Sequence, residues 1–94
     1  MEVGQIMVFF KVVANDPRIS TAHICLYLAL FCQWSQINNN NPMPVKKEEI
    51  MEVAKINARP TYFKCIRDLH DFGYIKYMPA KHRYMKSYVC LAEF

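Results

Sequence analysis

Gly73 divides this chain into two periodicities, and that division constrains the fold more than any other feature. Before it, Tyr62, Cys65, Ile66, Leu69 and Phe72 recur at helical spacing. After it, Tyr74–Met78 and Ser87–Leu91 are rich in aromatic and β-branched residues, the composition of strands. A glycine just past the last apolar position is the expected helix stop, because it enters the left-handed conformation without steric cost. Between the two strand-like runs lies Pro79-Ala80-Lys81-His82-Arg83-Tyr84-Met85-Lys86, which is polar and basic. The pair therefore reads as a β-hairpin with a basic tip, wing-like over about 74–92. Only two glycines in 94 residues exclude a turn-dense all-β chain.

Upstream of Gly73 the same logic gives helices. Asn57-Ala58-Arg59-Pro60 is a tight turn into a helix over about 59–72. Asn57 is the better capping side chain, whereas Pro60 at the first helical position places the cap at Arg59. A short helix over about 47–55 precedes the turn, with Ile50, Val53 and Ala54 as its apolar stripe and Glu48 and Glu49 complementing its dipole. Asn38-Asn39-Asn40-Asn41-Pro42-Met43-Pro44 is the strongest breaker, a surface loop inside one domain. Met43 to Val45 can leave it as a short edge strand. From Ala22 to Trp34 only His23 and Gln33 are polar, so a helix over about 20–36, capped by Ser20 or Thr21, is apolar nearly all round and belongs at the centre. Ile6, Phe9, Phe10 and Val13 predict a first helix over about 5–14, with a strand as the alternative because three valines lie there.

Length and composition narrow the class. Ninety-four residues hold one core, so 1–94 is a single domain, and 53% hydrophobic residues exclude whole-chain disorder. The longest apolar run, Ile24 to Cys32, is nine residues, too short to span a bilayer, and no secretory signal opens the sequence. A cytoplasmic protein without a membrane partner is expected. Cys25, Cys32, Cys65 and Cys90 form no C-x-x-C pair, so reduced and mostly buried thiols are expected rather than disulfides or a zinc site. No P-loop, G-x-S-x-G or dinucleotide fingerprint occurs. The expectation is therefore no enzyme, no catalytic residues, no metal, no cofactor and no small-molecule ligand. Charge is the informative quantity. Residues 1–54 carry four basic and five acidic side chains, whereas residues 55–86 carry eight basic against Asp68 and Asp71. A basic half on so small a domain points to a polyanion.

A short helix, a tight turn, a second helix and a hairpin form the order of a helix-turn-helix unit with a wing. Glu48 to Leu69, followed by Gly73-Tyr74-Ile75, resembles the winged helix-turn-helix proteins of bacterial regulators. A wider pattern runs through Arg18-Ile19-Ser20, His23-Ile24, Leu26 to Phe31, Trp34, Lys55-Ile56, Thr61-Tyr62, Lys64-Cys65-Ile66, Leu69-His70 and Gly73 to Pro79. It is similar to small bacterial helix-turn-helix proteins often found near mobile elements. The chain departs from that pattern at Asn57-Ala58, where serine is expected, and at Lys86, where glycine is expected.

The resemblance implies a mainly α fold with a small β-hairpin, an α+β winged helix-turn-helix. It implies binding of double-stranded DNA, with the second helix of the motif in the major groove, and a role in transcription regulation. Tyr62, Ile66 and Leu69 should face inward with Cys65 beside them. Arg59, Thr61, Phe63, Lys64 and Arg67 should face outward, and Lys81, Arg83 and Lys86 should meet phosphates or the minor groove. Asp68 and Asp71 can pair with Lys64 or Arg67. A homodimer is expected by the same analogy, with residues 5–13 as its surface because Met7, Phe9 and Phe10 exceed one stripe. The alternative is a winged-helix interaction module of a replication or mobilisation complex, in which Trp34, Phe63 and Tyr84 contact protein.

Overall fold

A computed structural model describes residues 3–37 and 41–91. Four helices, α1 (Val3–Ala14), α2 (Thr21–Gln36), α3 (Lys47–Ala54) and α4 (Arg59–Asp71), combine with β1 (Met43–Val45), β2 (Ile75–Met78) and β3 (Ser87–Leu91) in an α+β fold. Residues 38–40 of the expected loop and residue 92 of the expected hairpin lie outside the described residues.

The sheet is antiparallel in the order β1-β3-β2. Val89 faces Met43 on one side and Tyr77 on the other, so β3 is the central strand. Val89 and Met43 are fully buried on the core face, and the short β1 turns the hairpin into a three-stranded sheet. On the helical side, Leu26, Tyr27 and Leu30 of α2 join Ile50 of α3 and Tyr62, Ile66 and Leu69 of α4 in one core. Phe9 of α1 stacks on Tyr27 with ring centroids 3.8 Å apart. Gln33, a polar residue on α2, donates its side-chain amide to the Pro44 carbonyl at 2.7 Å and ties the helix to β1.

Helix ends follow local chemistry. The Gly73 N–H reaches the His70 carbonyl at 3.1 Å and the Tyr74 N–H reaches Leu69 at 2.9 Å, with Gly73 at φ +88°. Those two bonds satisfy orphan carbonyls and start β2 directly. Lys55 ends α3 at φ 61°, a left-handed position that costs a side-chain-bearing residue roughly 1–2 kcal/mol. The Ile56 N–H to Met51 carbonyl bond, 3.0 Å, offsets part of that cost.

Several expectations are corrected. The cap of α4 is Ala58, neither Asn57 nor Arg59, with Pro60 in the first turn and no side-chain cap. Its extended backbone sets the turn, and the Tyr62 N–H bonds its carbonyl at 3.1 Å. Val53 is 60% exposed, because α3 is only eight residues and presents Ile50 and Ala54 to α2. The α2 surface is not buried all round: Cys32 is exposed, Cys25 half-buried, and of the four free thiols only Cys65 is fully buried. Apolar composition hid this, since a free thiol is small enough to sit at either place.

The thiols should therefore react unequally. Cys32 should be modified fast in the native protein and Cys65 last, because burial also pushes the Cys65 thiol up and withholds the reactive thiolate. Timed alkylation with peptide mapping checks this order. Cys65 reacting ahead of Cys32 would contradict the packing.

Candidate nucleic-acid interface

The sequence-predicted residues lie on α4 and on the hairpin tip, and Arg67 shares a groove with the base of that hairpin. At about 100° per residue, Lys64 and Arg67 of α4 lie opposite Ile66 and Leu69, which are fully buried. Tyr62 and Cys65 are buried beside them, as expected. Arg59, Thr61, Lys64 and Arg67 are all exposed. Thr61 sits at the flank that meets Thr21, Ala22 and Cys25 of α2, along a shallow groove. Phe63 and His70 sit at the opposite flank, toward the hairpin.

Phe63 is corrected: it is half-buried, packs edge-to-face on Tyr62 at 5.2 Å, and has the Lys47 ammonium 5.7 Å from its ring centre. An aromatic at the flank of a helix finds its own protein first. It lines a groove of about 460 Å³ between α4 and the hairpin, with Arg67, His70, Tyr77 and Pro79. The Tyr77 N–H donates to His70 Nδ1 at 3.0 Å, which fixes the hairpin base against the end of α4. In the sequence His70 stands only within the Leu69-His70 part of the wider pattern and as a polar residue in the last turn, and neither signal gave it a role in the site.

Lys64 is not a free cation. Its ammonium donates to Asp68 Oδ2 at 2.7 Å, the i, i+4 pair that spacing allows. The same carboxylate receives His23 at 2.8 Å from α2. Because the Ser20 N–H donates to His23 Nδ1 at 2.9 Å, the ring proton sits on Nε2, facing Asp68. Lys64 first and His23 second hold the Asp68 carboxyl below its ordinary range. This chain of bonds positions α4 on the N-terminus of α2. Its sequence signal is Ser20-x-x-His23, a capping box with histidine in the place of glutamate.

Arg67 has no ion pair among the described residues and stands at the centre of the exposed face. Arg59, in the first turn, helps lower the Glu48 carboxyl, though a bond to that residue's own backbone and Lys47 do more. Part of the Arg59 field is therefore spent within the fold.

On the hairpin, Lys81, His82, Arg83, Tyr84, Met85 and Lys86 are all exposed. The tip is internally bonded. The Ala80 N–H donates to Ser87 Oγ at 3.2 Å, Met85 N–H to the His82 carbonyl at 3.0 Å, and Tyr84 N–H to His82 Nδ1 at 3.3 Å. Arg83 lies 5.3 Å from the Tyr84 ring centre.

The α1 surface splits. Phe9 and Val13 are buried in the protomer, which removes Phe9 from the expected dimer surface, while Met7, Val8, Phe10 and Val12 stay exposed. Trp34 is buried too, and so leaves the set of aromatics offered for protein contact. Among the described residues no cluster of three or more His, Cys, Asp or Glu side chains is placed to hold a metal, and no helix is long and apolar enough to cross a membrane.

No protein-family model, curated protein or solved structure matches the chain.

Proposed function

We propose that the protein is a winged helix-turn-helix DNA-binding protein acting in bacterial transcription regulation. On this reading α4 enters the major groove of double-stranded DNA and the β2–β3 hairpin is the wing. The observation that carries it is one groove: Arg67 on the exposed face of α4 and the base of the β2–β3 hairpin line it together, and the His70–Tyr77 bond holds that base against α4. The order α2-β1-α3-α4-β2-β3 with β1 beside β3 supports the same reading. Arg67 is the principal base-reading candidate. Lys64, Thr61 and Arg59 flank it, and Lys81, Arg83 and Lys86 meet the phosphates. A second copy of the chain, seated on Met7, Val8, Phe10 and Val12, gives the two-fold partner that such proteins use on paired half-sites.

Electrophoretic retardation of duplex DNA across a salt series tests the reading. The triple substitution of Lys81, Arg83 and Lys86 by Ala should lower the log–log salt slope by about 2.7, at roughly 0.9 per phosphate neutralised. Arg67→Ala should cost about 1–3 kcal/mol on the selected sequence. Lys64→Ala should cost less, because its charge is already shared with Asp68. Retention of duplex DNA that does not change with salt would remove the nucleic-acid role.

A further inference from the structure

The hairpin tip carries more than charge. Tyr84 is 83% exposed and Met85 is 43% exposed, the only exposed large apolar side chains among the described residues of the hairpin. Phosphate contact needs neither. The Tyr84 ring has the Arg83 guanidinium 5.3 Å from its centre and the His82 ring at 6.2 Å, and still leaves most of its surface to water beside Met85.

What covers them is constrained by their neighbours. Lys81, His82, Arg83 and Lys86 surround the pair, and the hairpin base borders the Arg67 side of α4. The partner is thus polyanionic and long enough to meet both, and it offers flat apolar faces to the tip. Stacked base pairs behind two phosphate backbones have that chemistry. One backbone bond and two backbone-to-side-chain bonds within the tip hold the turn ready, so ordering it on binding costs little.

We propose that Tyr84, backed by Met85, is a wedge that enters the minor groove of duplex DNA beside the α4 site and partly unstacks one base step, kinking the duplex. The proposal rests on the duplex-binding reading above and adds deformation of the DNA to it. Apolar wedges flanked by basic residues kink duplexes by roughly 20–90° toward the major groove. Flexible pyrimidine–purine steps are the cheapest to open, so the wedge supplies sequence preference at a position that no side chain reads by hydrogen bonds.

The test uses the full chain with a short A·T-rich duplex containing a central TA step, labelled at its ends for energy transfer. The wild-type protein should shorten the end-to-end distance. Tyr84→Ala combined with Met85→Ala should abolish the shortening while affinity stays within about tenfold, since phosphates supply most of it. Tyr84→Phe should kink normally, because the hydroxyl has no part in stacking. In a Tyr84→Trp variant the introduced indole should be quenched by the duplex and shielded from acrylamide. Retardation of the duplex without shortening overturns the wedge and leaves the DNA-binding reading standing. No retardation of any duplex overturns both. Tighter, Tyr84-dependent binding to oligo(dT) than to the duplex overturns the wedge in favour of single strands. A blue shift of the new indole on phosphatidylserine vesicles, without a response to duplex, assigns the tip to a lipid surface instead.

Discussion

Phe9→Ala is expected to lower the unfolding free energy by about 3–5 kcal/mol, while Phe10→Ala, one position on, should leave it within about 0.5 kcal/mol. Phe9 is fully buried, stacked on Tyr27 and edge-on to Tyr74 at 5.8 Å, so its ring joins α1, α2 and the start of β2. Truncation leaves a cavity where three elements meet, and a stability of the usual 5–15 kcal/mol for a domain loses a large share. Phe10 is 41% exposed and meets Phe9 edge-on, with ring centroids 5.6 Å apart. Its loss should appear elsewhere: light scattering should show the Phe10→Ala protein shifted toward monomer. Urea unfolding of both variants checks the contrast. Equal destabilisation would mean that the α1 surface is part of the protomer core and not a place for a second copy.

That contrast marks where the sequence was legible. Periodicity alone distinguishes helix from strand on either side of Gly73, and the Tyr62, Ile66, Leu69 stripe turns the basic residues of α4 outward. It does not decide between Phe9 and Phe10, because both satisfy i, i+3, i+4 spacing and the choice belongs to Tyr27, eighteen residues later. Val53 misled for the same reason: a stripe predicts a face, and α3 is too short to bury all of one. The Ala58 cap was invisible because alanine offers no capping atom and backbone geometry alone makes it the cap. Pairing was half legible. Lys64 and Asp68 are a local i, i+4 pair, but the arrival of His23 at the same carboxylate spans 45 positions, and that of the Tyr74 hydroxyl at Asp16 spans 58. Such contacts are made by the fold and leave no local trace. The hairpin's basic tip was legible as charge; how far Tyr84 stands clear of the core was not.

Alkaline pH should unfold the protein over a narrow interval beginning near pH 10. Tyr27, Tyr62 and Tyr74 are almost wholly buried, and burial is the chief force pushing all three hydroxyls up, Tyr74 to about 12. The Asp16 carboxylate, which accepts the Tyr74 hydroxyl at 2.8 Å, adds to that rise by repelling a phenolate. In the unfolded chain tyrosine ionises near pH 10. The folded state keeps its protons where the unfolded state loses them, so this contribution is fully present below pH 10 and drains away as pH rises toward the folded values. Each such group removes about 1.36 kcal/mol per pH unit in that window, so three together remove roughly 4. A domain of ordinary stability is exhausted within one to a few pH units. Far-UV circular dichroism followed together with phenolate absorbance should show helix loss and the ionisation of these three in one step. Tyr74→Phe separates the cause from general alkaline damage. It should weaken the protein at neutral pH by about 1.5–3 kcal/mol, the worth of a hydrogen bond to a charged acceptor. It should also make the alkaline decline shallower by about a third, since one of three proton-retaining groups is gone. A decline as steep as that of the wild type would show that the buried hydroxyls do not drive the transition.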